Sequence, residues 1–303
     1  MIFKKDPEKL LRIGIVFSML LWGLSWPSAK VLTGYLSMVD FVLWRYILVV
    51  VTMFFLLLIL KIPFSGNSIG IPNILISGCL LAFYSYLFYK GLKEGMAGAG
   101  GVLVTTLNPI FAYFLSIVIN RKMPTRREQT GLLFGLLAGC FLLKIWDQSQ
   151  SIFDSGNIFF LAASFIWAVM SVFTSKAKKF GTSFGFSFWQ YVVSMFCMLP
   201  FVHLKEFVSV IHISDSVFWL NMIFSASIVT ALATTFFFYA TTKVGPEKAS
   251  SFIFLVPFAA EVSSWILLDE KMLTNTIAGG ILGIVAVYLI NRTSFSKKIN
   301  NSD

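Results

Sequence analysis

The stretch Ile47-Leu-Val-Val-Val-Thr52-Met-Phe-Phe-Leu-Leu-Leu-Ile-Leu60 decides the fold. A transmembrane strand alternates polar and apolar residues, because one face meets lipid and the other a lumen. This run is apolar on every face, which excludes a β-barrel. Extended back to Val39, it reaches the roughly 20 residues that a helix needs to cross hydrocarbon. Similar runs recur along the chain, bounded by Pro, Gly, Asn and charges. They fall at about 11–33, 39–60, 71–90, 96–119, 129–146, 156–175, 184–204, 217–242, 248–268 and 275–291. The eighth is long enough to include a loop turn. The expected fold class is an all-α membrane protein with ten transmembrane helices.

Composition points the same way. Of 303 residues, 57% are hydrophobic and only 13% charged, with a mean hydropathy of +0.82. Soluble domains carry about 25% charged residues, so a soluble enzyme, a disordered chain and a disulfide scaffold are excluded. Ten spans of about 20 residues leave roughly 100 for loops and tails, too few for a soluble domain. Lys4, Lys5, Lys9 and Arg12 before the first run resemble the start of a signal peptide. No small-residue cleavage site follows, so a retained helix is expected. Cys79, Cys140 and Cys197 fall in three separate runs without metal spacing and read as packing residues. His203 and His212 lie near an expected loop and read as solvated.

Basic residues orient the spans, since they accumulate on the cytoplasmic side. With a cytoplasmic N-terminus, the inner segments hold the four residues above and Lys61. They also hold Arg121, Lys122, Arg126, Arg127, Lys176, Lys178, Lys179, Lys243, Lys248, Arg292, Lys297 and Lys298. The outer loops hold Lys90, Lys93, Lys144, Lys205 and Lys271, a bias of seventeen to five. The expectation is a multi-pass protein of the cell inner membrane with both termini cytoplasmic. The net charge of +10 then reflects topology and anionic headgroups, and nucleic acid is not an expected partner.

The two halves of the chain are alike at a shift of about 145–150 residues. Trp44-Arg45-Tyr46 matches Trp189-Gln190-Tyr191, and Phe88-Tyr89 matches Phe238-Tyr239. Lys93 and Gly95 match Lys243 and Gly245. Pro109 matches Pro257, and Gly131 and Gly135 match Gly279 and Gly283. The shared order indicates a duplication, with repeats at 1–148 and 149–303. Five spans per repeat is an odd number, so the second repeat must be inverted relative to the first. Inverted repeats with a site near the bilayer midplane are the build of many secondary transporters.

Trp22-Gly23-Leu24-Ser25-Trp26 followed by Lys30 resembles the opening motif of the drug/metabolite transporter (DMT) superfamily, EamA branch. Arg45, Pro109 and the Gly131/Gly135/Gly139 ladder fit, as do Trp167-Ala168, Pro257, Glu270, Gly279 and Gly283 in the second half. The resemblance covers essentially the whole chain. It implies ten helices in two five-helix repeats and export or exchange of small metabolites such as amino acids, nucleotide derivatives or vitamins. Two positions depart from the pattern. Lys122 stands where the first repeat often has an acid, and Gln190 where a second arginine could have been.

Ionisable groups inside a span are costly and mark function or a fixed partner. Lys30, Asp40, Arg45 and Glu261 are the candidates. Glu261 fits either a structural ion pair or a group that attracts a cationic substrate or carries a coupling proton. Arg45 fits snorkelling, a helix-to-helix bridge, or a clamp for carboxylate or phosphate. Lys30 reads as snorkelling. Pro109 and Pro257 loosen two helices, and Thr105, Thr106, Asn108, Ser250 and Ser251 lie just before them, so these helices are candidate cavity walls. The expected substrate-binding set is Trp22, Arg45, Tyr84, Asn108, Trp167, Gln190 and Glu261. Gly95, Gly98, Gly100 and Gly101 lack the Gly-Lys-Ser/Thr ending of a phosphate loop, so ATP is not expected.

The function expected from these residues is a secondary transporter that moves a small organic metabolite by alternating access. One acid, one base and several aromatics suit a zwitterion with a flat or apolar part, such as an amino acid or S-adenosylmethionine. A coupling proton or counter-substrate is a further expected partner beside the lipid bilayer. No cofactor or metal is expected. A channel or structural membrane component is the alternative. An intramembrane enzyme is disfavoured, because no nucleophile–base set or His-Glu-x-x-His lies at membrane depth.

Overall fold

Helix forms wherever the sequence is continuously apolar, because backbone in hydrocarbon must satisfy its own N–H and C=O groups. The computed structural model describes residues 7–32, 34–94, 97–143, 145–146, 155–212, 215–268 and 274–291. Of these, 89% are helical and none is in a strand. In chain order the helices are α1 (Pro7–Leu32), α2 (Met38–Ile59), α3 (Ile71–Glu94), α4 (Ala97–Asn120), α5 (Arg126–Leu143), α6 (Ser155–Thr174) and α7 (Ser183–Met198). There follow α8 (Leu204–Ser209), α9 (Ser216–Ile223), α10 (Thr235–Val244), α11 (Pro246–Ser251), α12 (Val256–Leu268) and α13 (Thr274–Asn291). Seven helices among the described residues are long and apolar enough to cross a membrane.

The eighth apolar run holds no loop turn, contrary to the sequence expectation. α9 passes into a π-helix over Phe224–Thr234, which passes directly into α10. Wider winding takes up the residues that a turn would have used. The ninth run is broken instead: a 3₁₀ turn at Phe252–Leu255 separates α11 from α12, immediately before Pro257. Pro109 lies inside a continuous α4.

Polar caps set several helix starts. Asp215 Oδ1 accepts from the Val217 N–H at 2.8 Å at the start of α9. The Tyr35 phenol also donates to Asp215, and this bond, with the Val217 amide, holds the Asp215 carboxyl below its ordinary range. Thr125 and Glu128 form a reciprocal capping box at α5: Thr125 N donates to Glu128 Oε2 at 2.7 Å, and Glu128 N to Thr125 Oγ1 at 3.3 Å.

Large apolar side chains such as Phe17, Phe55, Phe83 and Phe114 point outward, as expected where lipid is the solvent. Inside, α3 packs on α6 and α7, and α1 on the π segment and α12. α4 packs on α6, α2 on α7 and the π segment, and α5 on α13. Small residues permit these close approaches. A Cβ on Gly131 would stand 3.0 Å from the Ala286 carbonyl, and one on Gly279 would stand 3.0 Å from the Ala138 carbonyl. The α5–α13 contact is therefore glycine against backbone in both directions.

One buried ion pair ties α5 to α11. Glu128 and Lys248 are 8% and 6% exposed, and Lys248 Nζ lies 3.9 Å from Glu128 Oε1. Removing one member of a buried pair strands the other's charge. Lys248→Met should therefore destabilise the protein by about 3–5 kcal/mol, read as a lower melting temperature in detergent. The double change Glu128→Leu with Lys248→Leu should recover all but about 1 kcal/mol, the worth of the lost Thr125–Glu128 cap.

Candidate functional site

α1 carries Trp22, Ser25, Trp26 and Ala29 on one face, three or four residues apart, as helical winding requires. This face closes one side of a cavity of about 90 Å³. Arg45 enters from α2. Tyr84, Ser85, Phe88 and Tyr89 come from α3, Val104, Thr105 and Asn108 from α4, and Trp167 from α6. Ser225, Val229 and Thr234 of the π segment, with Ile253 and Val256, complete the wall.

Six of the eighteen lining residues are aromatic. Trp22 meets Trp167 edge-on with ring centres 5.2 Å apart, and Tyr84 lies 4.7 Å from Trp167. Trp26 and Phe88 are 5.0 Å apart. The polar groups are few and convergent. Arg45 donates through Nε to Ser225 Oγ at 3.1 Å and through Nη2 to Thr230 Oγ1, and its guanidinium lies 5.6 Å from the centre of the Tyr89 ring. None of the ion pairs among the described residues involves Arg45. Trp22 Nε1 donates to Thr234 Oγ1 at 3.2 Å. Trp167 Nε1 and Asn108 Oδ1, on side chains 5% and 1% exposed, have no hydrogen-bond partner among the described residues. A buried donor and a buried acceptor without partners are costly, and both belong to residues of this one cavity.

Five of the residues singled out from sequence therefore line the same space: Trp22, Arg45, Tyr84, Asn108 and Trp167. Gln190 does not. It is fully buried between α7 and α3, where Nε2 donates to the Ser77 carbonyl at 3.4 Å. Glu261 falls within α12, five residues beyond Val256, and the side chains of Glu261 and Lys30 lie outside the described residues. Asp40 is a cap rather than a cavity group. It accepts from Ser37 Oγ and from the His203 N–H at 3.2 Å. Ser250 and Ser251 are buried beside α13, where Asn291 Nδ2 donates to Ser251 Oγ at 2.7 Å.

Sequence reasoning passed over Trp26, Phe88, Tyr89, Ser225 and Thr234. The first two were detectable, since each lies four residues from a chosen aromatic and so on the same helix face. A larger groove of about 560 Å³ between α2, α3 and α7 has walls without charge. Cys79 and Cys197 meet there as free thiols, 3.4 Å apart.

Comparison with known proteins decides the family. The model of the EamA-like transporter family matches the chain twice, at residues 11–144 and 154–292. The chain belongs to the EamA-like transporter family. It is similar to the uncharacterized transporter YoaV of Bacillus subtilis (strain 168), at 24% identity over 94% of this chain and 98% of that one. It is also similar to a probable amino-acid metabolite efflux pump of Salmonella typhimurium, at 23% identity over 88% of this chain and 90% of that one. A solved structure described as a crystal structure of protein superposes with a TM-score of 0.70 at 15% identity. It covers 95% of this chain and 99% of that one, and shows the shared fold. Like other EamA-like proteins, this chain is a multi-pass membrane transporter of a small molecule and not an enzyme.

Proposed function

We propose that this EamA-like protein is a secondary transporter of a small zwitterionic metabolite, an amino acid or a close derivative, working by alternating access around the Trp22–Trp167–Arg45 cavity. The observation that carries this reading is Arg45: a guanidinium borne by a helix long and apolar enough to cross a membrane, in an aromatic-rich cavity, held by hydroxyls and by none of the described carboxylates. A carboxylate on the substrate would neutralise it with charge-assisted hydrogen bonds. An ammonium group has Asn108 Oδ1 and the aromatic faces of the same cavity, with Glu261 as a second acid or the carrier of a coupling proton. The apolar remainder packs on Trp22, Tyr84 and Trp167. The amino-acid assignment of the Salmonella relative agrees with this class. At about 90 Å³ the cavity is well below the roughly 300–1,000 Å³ of ligand pockets, so helices must part for substrate to enter.

Ten spans in two inverted repeats, with both termini cytoplasmic in the inner membrane, complete the reading. The two family matches support it, and so does the packing. Exchanging the halves turns the α3–α6 contact into that of the π segment with α1. It likewise turns α4–α6 into α12–α1 and α3–α7 into the contact of the π segment with α2. Equivalent side chains follow the same rule. Tyr46 donates to the Leu81 carbonyl of α3 at 3.1 Å, as Tyr191 does to the Thr230 carbonyl of the π segment at 3.0 Å. Trp44 Nε1 donates to Phe207 beyond α7 at 2.9 Å, as Trp189 Nε1 does to Phe64 beyond α2 at 2.7 Å.

Uptake into proteoliposomes, scored across neutral amino acids and S-adenosylmethionine, tests the function. Saturable uptake of at least one zwitterion is expected, with Arg45→Gln reducing it by about tenfold or more, near 1.4 kcal/mol of binding. A non-saturable flux would favour a channel. Glu261→Gln should lower uptake to a similar extent while leaving the melting temperature almost unchanged; full uptake would remove Glu261 from the mechanism. Reporter fusions after Asp303 and within residues 147–155 should lie on opposite sides of the membrane, and the same side for both would refute the ten-span arrangement.

A further inference from the structure

The eleven residues Phe224–Thr234 wind as a π-helix, whereas π winding mostly occurs as a single-turn bulge, frequently at functional sites. Its backbone repeat is i to i−5, and two side chains reinforce that repeat. Thr230 Oγ1 donates to the Ser225 carbonyl at 2.9 Å, and Thr234 Oγ1 to the Val229 carbonyl at 3.0 Å. Residues five apart therefore stack on one face. In an α-helix of 3.6 residues per turn the same two positions would lie about 140° apart.

Ser225 and Thr230 are such a pair, and both meet Arg45 of α2. Nε donates to Ser225 Oγ at 3.1 Å and Nη2 donates to Thr230 Oγ1. Both hydroxyls are buried. An arginine has five N–H donors in a rigid fork, and these two bonds occupy its Nε–Nη2 edge. None of Arg45's hydrogen bonds among the described residues uses Nη1. A hydroxyl accepts a hydrogen bond without neutralising the charge, so the guanidinium is held in place yet still needs an anion. The edge left for it, Nη1 with the second N–H of Nη2, fits a planar carboxylate in two parallel bonds.

We infer that Ser225 and Thr230 are positioning residues for substrate selection: the π register brings both hydroxyls onto Arg45, which fixes its free edge for the carboxylate of the transported molecule. The inference rests on the transporter reading given above for this cavity. Neither hydroxyl need touch substrate; both act through the orientation of Arg45. The site then discriminates between an acid and its decarboxylated amine by an aimed charge, while the aromatic wall accepts either.

The test uses the full-length protein in proteoliposomes. Its probes are L-alanine, L-leucine and L-methionine, each beside the amine lacking its carboxylate: ethylamine, 3-methylbutylamine and 3-(methylthio)propylamine. Ser225→Ala with Thr230→Val should raise KM for a transported acid by about tenfold, equivalent to about 1.4 kcal/mol, with maximal rate retained. Binding of the paired amine, read by thermal shift, should not change. Thr230→Ser keeps the hydroxyl and should restore KM. Equal weakening of acid and amine, a fall in maximal rate at constant KM, or failure of Thr230→Ser to restore KM would overturn the positioning role. Arg45→Gln separates the two layers. If it leaves the acid's KM unchanged, or if neither these three acids nor any other zwitterion of the uptake screen is transported, the transporter reading of Arg45 fails and the inference with it. If Arg45→Gln weakens the acid and the hydroxyl variants do not, the inference alone fails.

Discussion

A positive charge inside a membrane-spanning helix must be met by protein, and Arg45 of α2 imposes that demand on the whole interior. Leaving it to lipid would cost several kcal/mol. Its hydrogen bonds come from a segment some 180 residues away in the chain, through Ser225 and Thr230, and Tyr89 of α3 faces it. Meeting the demand brings α2, α3 and the π segment together on one side of a cavity whose other walls are α1, α4, α6 and α12. The solution is partial, because hydroxyls orient the guanidinium without cancelling its charge. A transporter has use for such a group: a charge satisfied permanently by the protein would have nothing left to offer a ligand.

The helices can surround this point closely because their contacts are built from small residues and aromatic edges rather than from a hydrophobic driving force, which lipid does not supply. Gly131 and Gly279 let α5 and α13 approach glycine to backbone in both directions. Around the cavity, Trp22, Trp167, Phe237 and Tyr84 pack edge-to-face or tilted, a geometry favoured by the ring quadrupoles. Away from the cavity, Glu128 and Lys248 join α5 to α11 with an ion pair that gains little net stability but is costly to break on one side. Tight aromatic packing also explains why the enclosed space is small: the rings fill volume that a substrate would otherwise take.

Much of this was legible in the chain itself. The run from Ile47 to Leu60 is read as helix because apolarity on every face leaves no other backbone solution in a bilayer. Trp22 and Trp26 are four residues apart and so share a face, and both line the cavity. Arg45 stood out because a charge within an apolar run is rare and needs a reason. Gln190 illustrates where the same reasoning stops. Its likeness to Arg45 at a shift of 145 residues marks an equivalent place in the fold, yet a neutral amide carries no demand for an anion, and it is absorbed into the α3–α7 contact beside Ser77. Phe224–Thr234 reads as an ordinary apolar helix with a turn, and nothing in its composition announces π winding.

The sequence by itself determined where helices form, how many ionisable groups enter the apolar runs, and which helix faces are aromatic. Each of these depends on neighbours within a turn or two, through backbone satisfaction and the 3.6-residue repeat. Only the tertiary structure decided that Arg45 meets Ser225 and Thr230, that Trp167 and Asn108, each with a polar atom unpartnered among the described residues, line the same cavity, and that Gln190 turns away from it. Those outcomes depend on how each helix is rotated about its axis and wound against helices distant in the chain, and a change from α to π winding moves a side chain to another face without changing a residue.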